Sequence, residues 1–131
     1  MSMIGIDRVD HLVLTVVDVE ATCAFYARTL GMTPVTFSGG RRGLAFGRQK
    51  INLHQAGGEF EPRAARATPG SGDFCLIAAV PLDVVIAHLA ACDVPLVQGP
   101  VAKTGALGPM QSVYFRDPDG NLVEVSVYDA P

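Results

Sequence analysis

The chain has 131 residues and a formal net charge of -3, enough for one domain with a single substantial core and too little for two independent ones. Hydrophobic residues at 49% and charged ones at 18% fit a soluble globular protein, and no apolar run approaches the roughly 18 residues of a membrane span. Scattered basic residues argue against DNA or RNA as a partner, so the expected ligand is a small molecule.

The N-terminal Met1-Ser2-Met3-Ile4-Gly5 lacks the basic region and long apolar stretch of a secretory leader, which points to the cytoplasm. Val9 to Val17, β-branched and apolar with His11 and Thr15 interspersed, reads as a strand. Asp18 can cap a helix that Gly31 ends, and Thr22, Phe25, Tyr26, Thr29 and Leu30 recur along it at three- and four-residue spacing. Met32 to Phe37, Gly43 to Phe46 and Lys50 to Gln55 read as three short strands.

Ala56 to Gly72, rich in Gly, Pro, Ala and Arg without periodicity, reads as a long connection. Phe74 to Val80 is then a strand, and Pro81 opens a helix carrying Leu82, Val85, Ile86, Leu89 and Cys92 on one side. Val94 to Val97 begins another strand, and Gly99 to Pro109 reads as a second long loop, a crossover or a lid. Met110 to Arg116 and Asn121 to Tyr128 flank the turn cluster Asp117 to Asn121 and so predict a hairpin. Both halves thus read βαβββ, and the expected class is α+β, with module one at 4–56, the connection at 57–72 and module two at 73–129. The expected sheet is cleft-bearing and partly closed, with the helices outside.

Alternation places Glu124 with Leu122 and Ser126, opposite the apolar face of Val123, Val125 and Val127. It places Lys50, Asn52 and His54 on one face and Ile51 and Leu53 on the other, and sets His11 beside Val13 and Thr15. If both helices pack on one side, the opposite faces gather His11, His54 and Glu124. Two imidazoles and a carboxylate suit a divalent cation such as Ni, Zn, Fe, Mn or Co with positions left open for substrate. The three cysteines, Cys23, Cys75 and Cys92, have no CxxC spacing and read as reduced, buried thiols. His88 reads as a helix-surface residue. Arg41, Arg42, Arg63, Arg66 and Lys103 could anchor an acidic group, although each alone reads as a solvated charge.

The segments Asp10-His11-Leu12-Val13-Leu14-Thr15-Val16, Phe25-Tyr26 with Leu30-Gly31-Met32, and Phe115-Arg116-Asp117-Pro118-Asp119-Gly120-Asn121-Leu122-Val123-Glu124 resemble the vicinal oxygen chelate superfamily. That group includes glyoxalase I, extradiol dioxygenases, fosfomycin-resistance transferases and bleomycin-binding proteins. The pattern is also similar to smaller glyoxalase-domain proteins described as virulence-associated or related to biphenyl-diol dioxygenase III. The resemblance implies metal ligation by His11 and Glu124. Where glyoxalase I has a glutamate this chain has Asn52, with His54 one alternation on, and Asp73 stands where a histidine opens the fifth strand. The implied ligand set is therefore His11, His54 and Glu124, with Asp73 as a possible ligand or proton acceptor and Glu124 as the other candidate general base.

Three readings follow from the resemblance. A glyoxalase I-like lyase or isomerase would use Lewis-acid polarisation of adjacent oxygens. An extradiol dioxygenase would use Fe(II) held by two histidines and a carboxylate. A metal-free binding protein of the bleomycin-resistance kind would sequester a small molecule. The resemblance also implies a homodimer, with the ligands of one site drawn in some relatives from two chains.

Overall fold

The computed structural model describes residues 3–131; Met1 and Ser2, the start of the stretch read for a leader, lie outside them. The chain divides into two compact units, Met1–Ala67 and Thr68–Pro131. Each has a four-stranded mixed sheet and one α-helix in the order βαβββ, which is the expected α+β class. Neither sheet closes on itself. No helix among the described residues is long and apolar enough to cross a membrane.

The first unit runs β1 (His11–Val16), α1 (Val19–Leu30), β2 (Thr33–Phe37), β3 (Arg41–Phe46) and β4 (Gln49–Gln55), with strand order β1-β4-β3-β2. β1 and β4 are parallel and the other pairs antiparallel. Helix α1 starts where Asp18 accepts a hydrogen bond from the Ala21 N–H at 3.0 Å and stops at Gly31, whose φ is 68°. Its buried stripe of Thr22, Cys23, Tyr26 and Thr29 follows the expected spacing. Thr22 and Thr29 can be buried because their hydroxyls donate to the carbonyls of Asp18 and Phe25. The helix lies on the sheet, whose Leu14, Val16, Leu44, Ile51 and Leu53 are all buried. Arg42 ties the two layers together, with Nε and Nη2 each 3.0 Å from the Glu20 carboxylate.

Facing the other way, His11, Val13 and Thr15 stand in register with Lys50, Asn52 and His54. Neighbours in register project to the same side, so alternation and packing agree that these six residues share the face turned away from α1.

The second unit runs β5 (Asp73–Ile77), α2 (Leu82–Ala91), β6 (Gln98–Gly105), β7 (Gly108–Arg116) and β8 (Leu122–Tyr128), with strand order β5-β8-β7-β6. Val85 and Leu89 of α2 are buried, as are Val113, Phe115, Val123 and Val125 of the sheet. The turn between β7 and β8 is held by Asp117. Its Oδ1 accepts from the N–H groups of Asp119 at 2.9 Å and Asn121 at 3.0 Å, and its Oδ2 accepts from Asn121 Nδ2 at 2.8 Å. Asn121 Oδ1 accepts from Gly72 N–H at 2.7 Å, and Leu122 N–H donates to the Gly72 carbonyl at 2.9 Å. The turn therefore fixes the start of β8 against the entry to β5.

Three expectations need correction. The stretch Gly99–Pro109 is an edge strand and hairpin rather than a long loop or lid, since β6 pairs with β7 across an irregularity between Gln98 and Val101. An edge strand tolerates Pro100, which has no N–H to donate. Gly99 has φ +116°, and a Cβ there would lie 2.5 Å from the Ser112 carbonyl oxygen, so only glycine fits. Val94 to Val97 precedes that strand instead of starting it. Finally, only Cys23 is a buried thiol; Cys75, on edge strand β5, is exposed and Cys92 is half-buried.

Candidate functional site

In the second unit Glu124 sits between Cys75 of β5 and Tyr114 of β7, its register partners on either side. Parallel pairing with β5 and antiparallel pairing with β7 place all three side chains on the face opposite buried Val123 and Val125. Ser126, two residues on, donates to Glu124 Oε2 at 3.3 Å. Ser126 Oγ also lies 2.6 Å from Ser112 Oγ and 3.2 Å from Cys75 Sγ. Both serines are fully buried, and each hydroxyl finds a partner in the other.

Burial, with the Glu124 carboxylate adding to it, keeps the neighbouring Tyr114 and Cys75 protonated. The Tyr114 hydroxyl is pushed up to about 12, first by burial and then by its hydrogen bond to Glu124 and that carboxylate's charge. Tyr114 is thus a neutral donor to Glu124. Although Cys75 is exposed as a residue, its sulfur is partly shielded against Ser126, and that shielding first raises the thiol, with Ser126 opposing and the Glu124 charge adding. A protonated thiol is a weak nucleophile and a weak metal ligand, so the carboxylate is the reactive group here. Asp73 pairs with Leu122, one alternation before the Cys75–Glu124 pair, so it shares the face without lying directly beside Glu124.

In the first unit His11 Nδ1 lies 2.8 Å from Asp10 Oδ2. A carboxylate only accepts, so Nδ1 is the donor of this pair and Nε2 is the ring nitrogen that Asp10 does not engage. The Asp10 carboxyl is held below its usual range by this hydrogen bond, with the charges of His11, Arg8 and Lys50 contributing. A carboxylate behind an imidazole in this way fixes the orientation of the ring.

His54 is not brought to His11. The register sets His11 beside Lys50 and His54 beside Thr15, four residues further along, or about 13 Å at the rise of a strand. The His54 ring instead packs edge-on to Phe60 at 5.8 Å. Among the described residues no three His, Cys, Asp or Glu side chains are grouped closely enough to hold a metal ion. His11 and His54 thus stand four positions apart on one face of the first sheet, while Asp73 and Glu124 share a face of the second.

Tyr114 was missed as a site residue in the sequence, although counting back from the Asp117–Asn121 turn pairs it with Glu124. Lys50 was also missed, because its role depends on the ring it rests on. Its Nζ lies 3.5 Å from the centroid of Phe37, which comes from a strand two places across the sheet.

Residues 8–125 match the family model described as Glyoxalase/Bleomycin resistance protein/Dioxygenase superfamily. The chain belongs to this superfamily. It is 53% identical over 123 residues to virulence protein STM3117 of Salmonella typhimurium, a match covering 94% of this chain and 85% of that protein. The crystal structure of that Salmonella protein superposes with a TM-score of 0.95, covering 96% of this chain and all of that one. Glyoxalase domain-containing protein RDO1 of Mycosarcoma maydis is 48% identical over 125 residues, covering 95% of this chain and 70% of that protein. Lactoylglutathione lyase from Agrobacterium tumefaciens is 26% identical with a TM-score of 0.70, covering 92% of each superfamily member.

Proposed function

We propose that this superfamily member is a divalent-metal-dependent enzyme acting on a small oxygenated molecule, as a glyoxalase I-like lyase or isomerase. What carries the reading is the pairing of His11, whose Nδ1 donates to Asp10 and leaves Nε2 as the nitrogen for a metal. The character of Glu124, an ionisable carboxylate on the polar face with Tyr114 and Ser126 as donors, supports it. The similarity to a lactoylglutathione lyase favours isomerisation over oxygen chemistry.

His11 and Glu124 would supply two ligands to the metal, which when bound polarises the oxygens of the substrate. The chain's own groups do the rest. Glu124, released from ligation, or Asp73 takes the proton from one carbon, the C–H electron pair passing to the adjacent oxygen, and returns it to the neighbouring carbon; hydrogen bonds from Tyr114 and Ser126 hold the Glu124 carboxylate in place. Tyr114, neutral to high pH, commits its one hydroxyl proton to the hydrogen bond with that carboxylate. Cys75 stays protonated and takes no covalent part.

Elemental analysis of purified protein, His11→Ala and Glu124→Gln is the test, followed by an assay for isomerisation of the hemithioacetal of methylglyoxal and glutathione. Stoichiometric metal in the parent and loss in both variants is expected. No metal uptake after reloading with Ni, Zn, Mn, Co or Fe(II) would sink the enzymatic reading in favour of a binding protein. Oxygen consumption with catechols by the iron-loaded protein would replace isomerase with dioxygenase.

A further inference from the structure

The face of the first sheet turned away from α1 carries two cations that form no close ion pair among the described residues, although the charge of Asp10 acts on Lys50. Arg41 rests over the ring of Phe60, 4.4 Å from its centroid, and Lys50 rests over Phe37 at 3.5 Å. Phe37 and Arg41 are direct register partners on β2 and β3, so the two cations flank one small area. The nearby acids are otherwise engaged. Asp10 bonds His11, while Glu59 accepts from Gly57 N–H at 3.1 Å and meets Arg63 at 4.0 Å. Of the other candidate anion anchors, Arg42 is taken by Glu20, and Arg63 by Glu59 and Glu61.

Between these cations lie two buried polar atoms without a hydrogen-bond partner, Asn52 Oδ1 and His54 Nδ1. His54 is only 7% exposed, so its unmet nitrogen is a real cost to the folded protein unless a ligand meets it. Asn52 stands on β4 midway between Lys50 and His54, and opposite Gly43 on β3. A Cβ on Gly43 would come within 3.4 Å of Asn52 Oδ1 and 3.3 Å of the Phe37 ring, so the missing side chain lets both pack closely over the middle of the strand. The acceptor on Asn52 calls for a donor, and the cations call for an anion. Two phenyl rings supply apolar walls.

We infer that Arg41, Lys50, Asn52 and His54 form a binding site for a small hydroxycarboxylate, its carboxylate toward the two cations and its hydroxyl donating to Asn52. Arginine offers the planar fork that fits a carboxylate, and a cation resting on a ring is already partly desolvated. As a substrate class this rests on the enzymatic reading above; as a binding site it does not, because no metal enters the argument. His54 then acts on the ligand's oxygens instead of on a metal.

The experiment is a titration of isotope-labelled, chelator-treated protein with lactate and mandelate, and with propionate and phenylacetate, which lack only the hydroxyl, followed by amide NMR. Saturable shifts at residues 41–43 and 50–54 are expected, with the deoxy acids binding about tenfold more weakly. Arg41→Gln and Lys50→Gln should each weaken lactate and mandelate about fivefold or more at low salt. Asn52→Leu should erase the preference for the hydroxy acids, and Lys103→Gln in the second unit should change nothing. The dispersion of each spectrum shows that the variant is folded. Absence of saturable shifts, equal affinity for the deoxy acids, or binding that survives Arg41→Gln overturns the assignment. Binding that persists in His11→Ala while metal uptake is absent upholds this site and removes the metal enzyme; metal uptake without binding does the reverse.

Discussion

Asp10 precedes β1 by one residue and bonds the ring of its neighbour, which makes Nδ1 the donor and leaves Nε2 for other partners. If His11 ligates a metal, Asp10→Ala should lower metal affinity about 10- to 100-fold, measured by competition with a chelator, with little change in melting because the pair is exposed. Its partner role escaped the alternation argument, since that argument covers only residues inside the strand. Glu124 and His11 were legible because each breaks a two-residue apolar pattern. Tyr114 offers a second check. Its hydroxyl titrates at about 12 partly because the Glu124 charge opposes a phenolate. Glu124→Gln should move the Tyr114 midpoint down toward the ordinary 10.0, part of the rise remaining because burial remains. An unchanged midpoint by ring-carbon NMR would mean that Tyr114 does not sense this carboxylate.

At the level of elements, the turn from Asp117 to Asn121 is the most recognisable stretch of the chain, and its work is structural. Asp117 is 5% exposed and satisfies three N–H groups, two of them from Asn121. Asp117→Ala would strand those donors and should cost about 3 kcal/mol in denaturant unfolding. Because Asn121 and Leu122 also bond Gly72, the same change should loosen the β5–β8 pairing that sets Cys75 beside Glu124. Both helices were readable from spacing, α2 opening after Pro81 and α1 running as its caps Asp18 and Gly31 dictate. Strand β6 was not, because Gly99, Pro100 and Gly105 carry loop-like local preferences. Its pairing partner β7 overrides them, and local composition contains no information about that partner.

For the whole molecule, the metal reading makes a prediction that a single side chain cannot test. An ion held by the folded chain and not by the unfolded one adds stability of about 2.7 kcal/mol at a free concentration one hundred times its dissociation constant. Adding the preferred divalent ion to chelator-treated protein should therefore raise its melting temperature, and His11→Ala and Glu124→Gln should each abolish the rise. A rise that survives both changes would place the ion elsewhere.

The βαβββ repeat, the hairpin before Glu124 and the polar faces of β1, β4 and β8 were determined by the sequence alone. These rest on local rules, namely caps, turn residues and the strand's period of two. Which residues stand side by side on those faces was decided only by the tertiary structure. Register between strands distant in the chain put Cys75 and Tyr114 beside Glu124, separated His54 from His11, and brought Phe37 under Lys50. A period of two says which face a side chain takes; only the pairing of strands says what it meets there.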